Sequence, residues 1–538
     1  MTNTESDSQP VPSLGFYHGY NKSIALSAKI IVALLIFWAI SVEEAADLLV
    51  NIQQATISNF GSWYIYVTAF FLFTCLALAI VPSTGKINLG KPGEKPEFSN
   101  FAWFSMMFSA GIGVGMLTYS TAEPISHFAN NPDVIRGFST ALSSDNVANA
   151  FKWALLHYGL TPWGCYGIAG MSLAYFSYNR GLPLTIRSPL TAVLGKSASG
   201  PLGDVVDTAA IFATIIGVGV TIGYGVTQFA YGLHKISGFS WMLSADGKPS
   251  IEALLFVLFI VMSASILSAR SGVVNGIRWL SNINMSLSVV MLGFFVVFGS
   301  TLFSLQIFFE GIWNYLIALP SMSLTVWKPS VEPVNATLAQ WQGDWTIFTF
   351  AWWISFTPFV GLFLCRVSRG RTIREYVLGA MIVPSMMCLT WFCFVGGTAV
   401  YLELTGVAKG MIVNSDISAQ LFATVDLLLS PGMAIALSCL IVVLLLTYLV
   451  TSADSAILVI DTIASEGSDS SDSSHRGKHI IVWGAIITTV IAVLLVAGGI
   501  DALRSVMIIG ALPFTLVMVL MAVALIKSLL LDKIIPET

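Results

Sequence analysis

The chain has 538 residues, of which 56% are hydrophobic and only 10% are charged, and its mean hydropathy is +0.81. Soluble domains carry about 25% charged residues, so this composition excludes a soluble protein and indicates a polytopic membrane protein. The formal net charge of −4 excludes little, because in a membrane protein the side on which the charges lie matters more than their sum.

The apolar segments predict an all-α protein with twelve membrane-spanning helices. A span needs about 20 mostly apolar residues. Segments of this kind occupy residues 23–42, 61–81, 101–129, 149–177, 204–234, 251–269, 277–302, 345–366, 373–402, 432–461, 479–498 and 501–530. Between the seventh and eighth spans, residues 304–318 are too short and interrupted to cross, so we expect an amphipathic helix at the interface. The twelve spans form one domain over 22–530, between a short polar segment, 1–21, and a short tail, 531–538.

The basic residues predict the orientation. With the N-terminus inside, seventeen of the 25 lysines and arginines lie in inner segments and the span ends facing them, and six lie outside. Cytoplasmic loops carry this excess in membrane proteins. We therefore expect both termini to be cytoplasmic.

Two spans are irregular. The third carries glycines at 111, 113 and 115, and the eighth carries Pro358 after two tryptophans. Interrupted helices at corresponding positions of two halves indicate a transporter site near the bilayer midplane. Because the two spans are five apart, we expect two inverted five-helix repeats, spans 3–7 and 8–12, with two additional N-terminal spans.

Aromatic residues on the fourth and eighth spans predict a cation cage. Tyr158, Trp163 and Tyr166 cover one broad helix face, and Trp353 is a fourth ring. Aromatic faces attract methylated cations. The alternative is an aromatic belt at the membrane interface, which is common; the depth of Tyr158 within its span weakens that alternative.

The tenth span ends in a polar stretch that is suited to a small cation. Thr451 and Ser452 supply adjacent hydroxyls, although hydroxyls within spans usually bond to their own helix. Asp454 is costly in a membrane and is a functional candidate for that reason.

Other function classes find little support. Glu123 is more typical of a helix-end group than of a ligand, and His127 and His157 look isolated in the sequence, without an HExxH or GxSxG motif. An enzyme is therefore disfavoured, and we predict no catalytic residue. A channel would need a continuous polar file, which the spans lack.

At these residues the chain resembles the betaine/carnitine/choline transporter family, whose members are secondary transporters with the leucine-transporter-like fold. The resemblance is most specific in WWISFTPFVGLFLCRVSRGRTIREYVLG, which is followed by WFCFVGGTAV. The motifs AGIGVG, AEP, HYGLTPW and LVTSADSA agree in order and spacing. The resemblance covers roughly residues 15–530.

The resemblance implies a substrate site. Its aromatic box would consist of Tyr158, Trp163, Tyr166 and Trp353, and the anionic end of the substrate would face Gly111, Gly113 and Gly115. The family usually has tryptophan where Tyr158 and Phe356 stand, the latter in a second cluster beside Trp352 that contacts the substrate in transit. These two departures make the identity of the substrate less certain than the presence of a cage.

The sodium-coupled members of this family imply two ion sites at the matching positions of this chain. The first would use the carbonyls of Ser109, Ile112 and Tyr448 with the side chains of Thr451 and Ser452. A second would use Thr214 and Phe359, but Val218 replaces the threonine that is expected there.

The resemblance implies sodium-coupled symport of a zwitterionic methylated onium compound into the cell, of the glycine betaine, dimethylsulfoniopropionate or carnitine type. Sodium-independent exchange and uptake of another zwitterion, such as taurine, are the alternatives. We expect sodium as coupling ion, no organic cofactor, no nucleic acid partner, a homotrimer in the cell inner membrane, and, given the short tail, no osmosensing of the long-tail type.

Overall fold

The computed structural model describes residues 17, 19–42, 44–91, 93–111, 113–271, 278–466 and 473–534. The segments predicted for the two chain ends, 1–21 and 531–538, lie largely outside this part. The described residues are nearly all helical, and their strand-like pairs are two isolated bridges, Asn88 with Thr372 and Leu243 with Pro249.

Fifteen helices organise the described chain. They are α1 (Lys22–Ser41), α2 (Ala45–Ile80), α3 (Asn100–Gly111), α4 (Val114–Ala129), α5 (Val147–Tyr158), α6 (Leu160–Ala174), α7 (Pro201–Ser237), α8 (Ile251–Ser271), α9 (Arg278–Phe298), α10 (Thr301–Leu324), α11 (Pro333–Val367), α12 (Ile373–Leu404), α13 (Ile417–Leu428), α14 (Pro431–Ala464) and α15 (Ser473–Ile534). Short single turns occur in the connections.

The helices confirm the all-α membrane architecture. Among the described residues, nine helices are long and apolar enough to cross a membrane: α1, α2, α7, α8, α10, α11, α12, α14 and α15. The third predicted span falls on α3 and α4, and the fourth on α5 and α6. The exact number of twelve crossings stays a prediction.

The last two predicted spans lie on α15, which bends between them. Gly498 and Gly499 have non-helical backbone angles, and Gly499 has a φ of 64°. A positive φ costs glycine little, because it has no Cβ. The two limbs therefore meet where the sequence separates 479–498 from 501–530.

The eighth span, α11, is not interrupted at Pro358, contrary to the prediction. The helix runs unbroken from Phe348 to Val367, and the hydroxyl of Thr357 donates to the carbonyl of Trp353 at 2.9 Å. Proline is tolerated in membrane helices where neighbouring groups accommodate the freed backbone. The irregularity of α11 lies earlier, in a π turn at Gly343–Ile347.

The segment predicted at 304–318 forms a longer helix, α10, of 24 residues. One face is buried through Ile307, Gly311 and Tyr315, whereas Phe309 and Trp313 are exposed on the other face. The helix is also long and apolar enough to cross a membrane by length and composition. Its placement at the interface stays a prediction.

Candidate functional site

A cavity of about 360 Å³ lies between α4, α6, α7, α9, α11 and α14. It begins at Gly113 and the aromatic residues of the fourth and eighth spans. From there it extends along α11 to Arg366 and along α14 to Thr462, with Arg476 of α15 at the same end. Small-molecule sites typically enclose about 300–1,000 Å³, so this space suits a small substrate.

The break in the third span forms one wall of the cavity. Helix α3 ends at Gly111 and α4 begins at Val114, while Gly113 between them is extended, with φ −156° and ψ −169°. A Cβ built at Gly113 would meet nothing within 4 Å, so its bare backbone faces open space. At Gly115 a Cβ would lie 3.2 Å from the Trp352 ring, which explains the small residue there.

The four rings predicted to form a cage are in contact. The ring centroid of Trp353 lies 6.1 Å from Tyr158, 5.0 Å from Trp163 and 4.9 Å from Tyr166. Tyr158, Tyr166 and Trp353 line the cavity. Trp163 is fully buried and packs edge-on against Tyr166 at 5.4 Å, so it supports the cage from behind.

A second helix break, which the sequence reading missed, sets the position of Tyr158. Helix α5 ends at Tyr158 and α6 begins at Leu160, with Gly159 between them. The backbone N–H of Leu160 donates to the hydroxyl of Tyr315 on α10 at 2.8 Å. A Cβ at Gly159 would lie 2.7 Å from this hydroxyl and 2.5 Å from the Leu155 carbonyl oxygen. Glycine therefore lets α10 reach the break beside the cage.

Trp352 belongs to a separate aromatic cluster that closes the cavity on the side away from Arg366. Its ring lies 5.6 Å from Tyr119, 5.8 Å from Tyr224 and 5.6 Å from Phe348, and all four residues are buried. The indole N–H of Trp352 donates to the Thr221 hydroxyl at 2.9 Å.

Phe356 does not share this cluster. Its ring contacts Phe359 at 5.9 Å, and both side chains line the cavity on the Arg366 side of the cage. The ring contact of Phe356 is thus with Phe359 rather than with Trp352, and the predicted second cluster that contacts the substrate in transit stays a prediction. The two residues are one turn apart on α11 and both contact α7, since a Cβ at Gly217 would lie 3.2 Å from the Phe356 ring and the Trp352 indole donates to Thr221.

The residues whose hydroxyls are predicted to bind sodium line the same cavity as the cage, and the Thr451 hydroxyl bonds to the carbonyls of Thr447 and Tyr448 in its own helix. Thr451 and Ser452 line it together with Tyr448. Of the other two predicted ligands, Ser109 lies in the last turn of α3 and nothing is described of its side chain, and Ile112 lies outside the described residues.

Asn284 of α9 also lies beside the predicted ion ligands of α14. Its side-chain nitrogen donates to the Thr451 hydroxyl at 3.1 Å, while its buried Oδ1 has no partner among the described groups. It also lines the cavity. No sequence motif pointed to it, because an asparagine in the seventh span has no fixed spacing from the tenth.

The two residues of the predicted second ion site, Thr214 and Phe359, do not lie together in the cavity lining. Thr214 is buried and donates to the Ala210 carbonyl at 2.8 Å, and only Phe359 of the proposed second site lines the cavity. The functional candidate Asp454 is buried and accepts hydrogen bonds from Ser268 of α8 at 2.5 Å and from the cavity-lining Ser455 at 3.0 Å. The bond from Ser268 joins α14 to α8, and a functional role of Asp454 stays a prediction.

A comparison with models of known protein families identifies the family of this chain. The model of the betaine/carnitine/choline family transporters matches residues 23–534. The chain belongs to the betaine/carnitine/choline transporter family. It is therefore a multi-pass membrane transporter and not an enzyme.

Three relatives illustrate how far the likeness extends. The transporter is 36% identical over 505 residues to the glycine betaine transporter OpuD of Bacillus subtilis, covering 93% of this chain and 92% of that one. It is 35% identical over 515 residues to the osmo-dependent choline transporter BetT2 of Acinetobacter baylyi, covering 95% and 72%. It is 31% identical over 524 residues to a glycine betaine/proline/choline transporter of Vibrio parahaemolyticus, covering 95% and 90%.

Proposed function

We propose that this transporter is a sodium-coupled symporter that carries a zwitterion with a methylated onium head into the cell by alternating access. Glycine betaine, dimethylsulfoniopropionate and carnitine are substrates of this type. One observation carries the proposal: the aromatic residues Tyr158, Tyr166 and Trp353 line the same cavity as Thr451 and Ser452, which carry hydroxyls. A cation-attracting surface and a set of hard oxygen ligands are thereby available to one bound substrate and one ion.

The substrate would lie with its two ends in different surroundings. A methylated onium head has no N–H to donate, so it is held by aromatic faces, with about 2 kcal/mol for each desolvated contact. Its carboxylate would lie against the bare backbone at Gly113, where no Cβ occupies the space. The relatives named for glycine betaine and choline are consistent with an onium head.

The coupling ion would bind where α14 faces the break of the third span. Hydroxyl and carbonyl oxygens are hard ligands, which suit a small cation. We propose Thr451, Ser452 and the carbonyls of Ser109, Ile112 and Tyr448 as its ligands. Because Thr451 lines the cavity and Thr214 does not, we propose a single ion at the Thr451 site.

The shape of the cavity indicates a conformational state. It extends toward Arg366 and Arg476, which the basic-residue pattern assigns to the cytoplasmic side, and the cluster around Trp352 closes the other side. We therefore propose that this conformation is inward-facing. A homotrimer in the inner membrane, with the exposed apolar face of α10 at the contact, completes the proposal.

Counterflow in proteoliposomes tests the function. The panel is glycine betaine, dimethylsulfoniopropionate, carnitine, choline and taurine, each with and without a sodium gradient. We expect sodium-dependent accumulation of at least one methylated zwitterion and none of taurine. Equal counterflow without sodium would favour exchange, and preference for taurine would contradict the cage.

A matched pair of variants tests the ion site. Thr451→Val removes the cavity hydroxyl while keeping its shape, and we expect it to abolish sodium dependence or to raise the sodium requirement at least about tenfold. The control is Thr447→Val, one turn earlier on α14, whose hydroxyl bonds to the carbonyls of Val443 and Leu444 and which, unlike Thr451, is not part of the cavity lining. An equal effect of both variants would contradict the assignment.

A further inference from the structure

A buried glutamate and two histidines form a cluster beside the cage. The carboxylate oxygen Oε1 of Glu123 on α4 contacts Nε2 of His127 at 3.2 Å and also contacts Nδ1 of His157 on α5. All three side chains are fully buried. The predictions that Glu123 is a helix-end group and that the histidines are isolated are therefore wrong, because the fold brings together residues 34 positions apart.

The cluster has more buried electron-pair donors than the protein satisfies. Nε2 of His157 is paired with the Thr346 hydroxyl at 2.9 Å, whereas the buried Oε2 of Glu123 has no hydrogen-bond partner among the described residues. In the described part of the chain, the ion-pair contacts of Glu123 are with these two histidines. Burying such groups without a partner or a balancing cation is costly, so the arrangement calls for a cation.

We propose that Glu123, His127 and His157 bind one first-row divalent transition-metal ion, with zinc as the best chemical match. One ligand atom from each residue lies within 4.8 Å of the others. Two imidazoles and a carboxylate are a zinc donor set, and the free Oε2 offers a fourth donor from the same carboxylate.

The surroundings support a metal ligand role for His157. A metal-binding histidine usually donates its other ring N–H to a nearby oxygen, which fixes the ring and leaves the first nitrogen free for the ion. Thr346 provides that oxygen at Nε2, so Nδ1 is the nitrogen directed at Glu123. The rings of Trp341 and Trp345 pack against His127 at 5.3 and 4.8 Å and keep water away.

A metal ion here would act on transport from outside the substrate cavity. It would join α4, which follows the glycine break, to the last turn of α5, where His157 directly precedes Tyr158 of the cage. The ion would thus fix the position of a substrate-contacting ring without contacting the substrate. This consequence rests on the proposed function, whereas the metal site itself does not.

Zinc titration of the purified, chelator-treated transporter tests the site. We expect one zinc ion per chain by competition with a chromogenic chelator, and at least about tenfold weaker binding in His127→Gln, His157→Gln and Glu123→Gln. The matched control is His234→Gln at the end of α7, whose ring contacts the Phe239 carbonyl outside the cluster. Stoichiometric binding that all these variants retain would overturn the proposal.

A measurement on the unaltered protein guards against variants that fail to fold. X-ray absorption of the zinc-loaded transporter should show two imidazole nitrogens and carboxylate oxygen around the ion, and zinc should raise the thermal midpoint. Absence of stoichiometric zinc binding, or sulfur ligation, would refute the site and leave a proton as the bridging cation. Because sodium-dependent counterflow is measured separately, that failure is distinguishable from failure of the proposed symport.

Discussion

Replacing Tyr315 with phenylalanine tests whether α10 holds the break of the fourth span. The change removes one oxygen and keeps the buried ring, which is 2% exposed. The backbone N–H of Leu160 then loses the hydroxyl that accepts from it at 2.8 Å. A buried donor without a partner costs about 1–3 kcal/mol, and because this bond is part-buried, Tyr315→Phe should destabilise the fold by about the lower end of that range.

The effect should also reach the substrate. Leu160 is two residues after Tyr158, and the break between them sets the direction of the Tyr158 ring. If a cage contact of about 1.4 kcal/mol is lost, the substrate binds about tenfold more weakly. The assays are the thermal midpoint of the purified transporter and substrate binding by tryptophan fluorescence, since Trp353 lies 6.1 Å from Tyr158.

Tyr401→Phe is the matched control for this variant. Its ring also packs on α10, against Phe303 at 5.2 Å, but it lies on the exposed side of the protein. We expect the control to keep the wild-type midpoint and affinity. If Tyr315→Phe matched it in both measurements, the hydroxyl would not hold the break and the reasoning would fail.

Three further variants test the site and its packing. Trp353→Ala should lose about 2 kcal/mol of cation–aromatic contact, which predicts roughly 30-fold weaker binding of a methylated zwitterion in equilibrium dialysis. Trp353→Phe keeps an aromatic ring and should weaken binding less. Unchanged affinity in Trp353→Ala would exclude the cage. Asn284→Ala should raise the sodium concentration for half-maximal counterflow, because it removes a cavity-lining amide. An unchanged sodium dependence would exclude Asn284 from the ion site. Gly225→Ala should destabilise the fold by about 1–3 kcal/mol, because the added Cβ would lie 2.5 Å from Leu449 and 2.6 Å from Val114. A wild-type thermal midpoint would contradict this packing.

Features that depend on local sequence could be predicted. The run of apolar residues located the helices, and the glycines at 111, 113 and 115 indicated the break that precedes Val114. The cage residues were identified by their shared helix face and by the family motifs, and the structure brings these rings into contact. Their role in binding stays a prediction.

Features that depend on distant partners could not be predicted. Gly159 looks like an ordinary glycine of a membrane helix until Tyr315, 156 residues away, is found beside it. Pro358 suggested a break, but whether a proline interrupts a helix depends on the groups packed around it. Likewise, the contact between Glu123 and His157 forms only in the fold, and no spacing in the sequence reveals it.

The neighbouring tryptophans of α11 have a mechanical consequence. Successive residues of an α-helix point about 100° apart, so Trp353 faces the cage while Trp352 reaches the closing cluster and donates to Thr221. One peptide bond joins the part that would sense the substrate to the part that seals the opposite side. Any rotation of α11 that turns one indole also turns the other, so we expect the cage and the closing cluster to move together through the rigid helix and not through successive side-chain contacts.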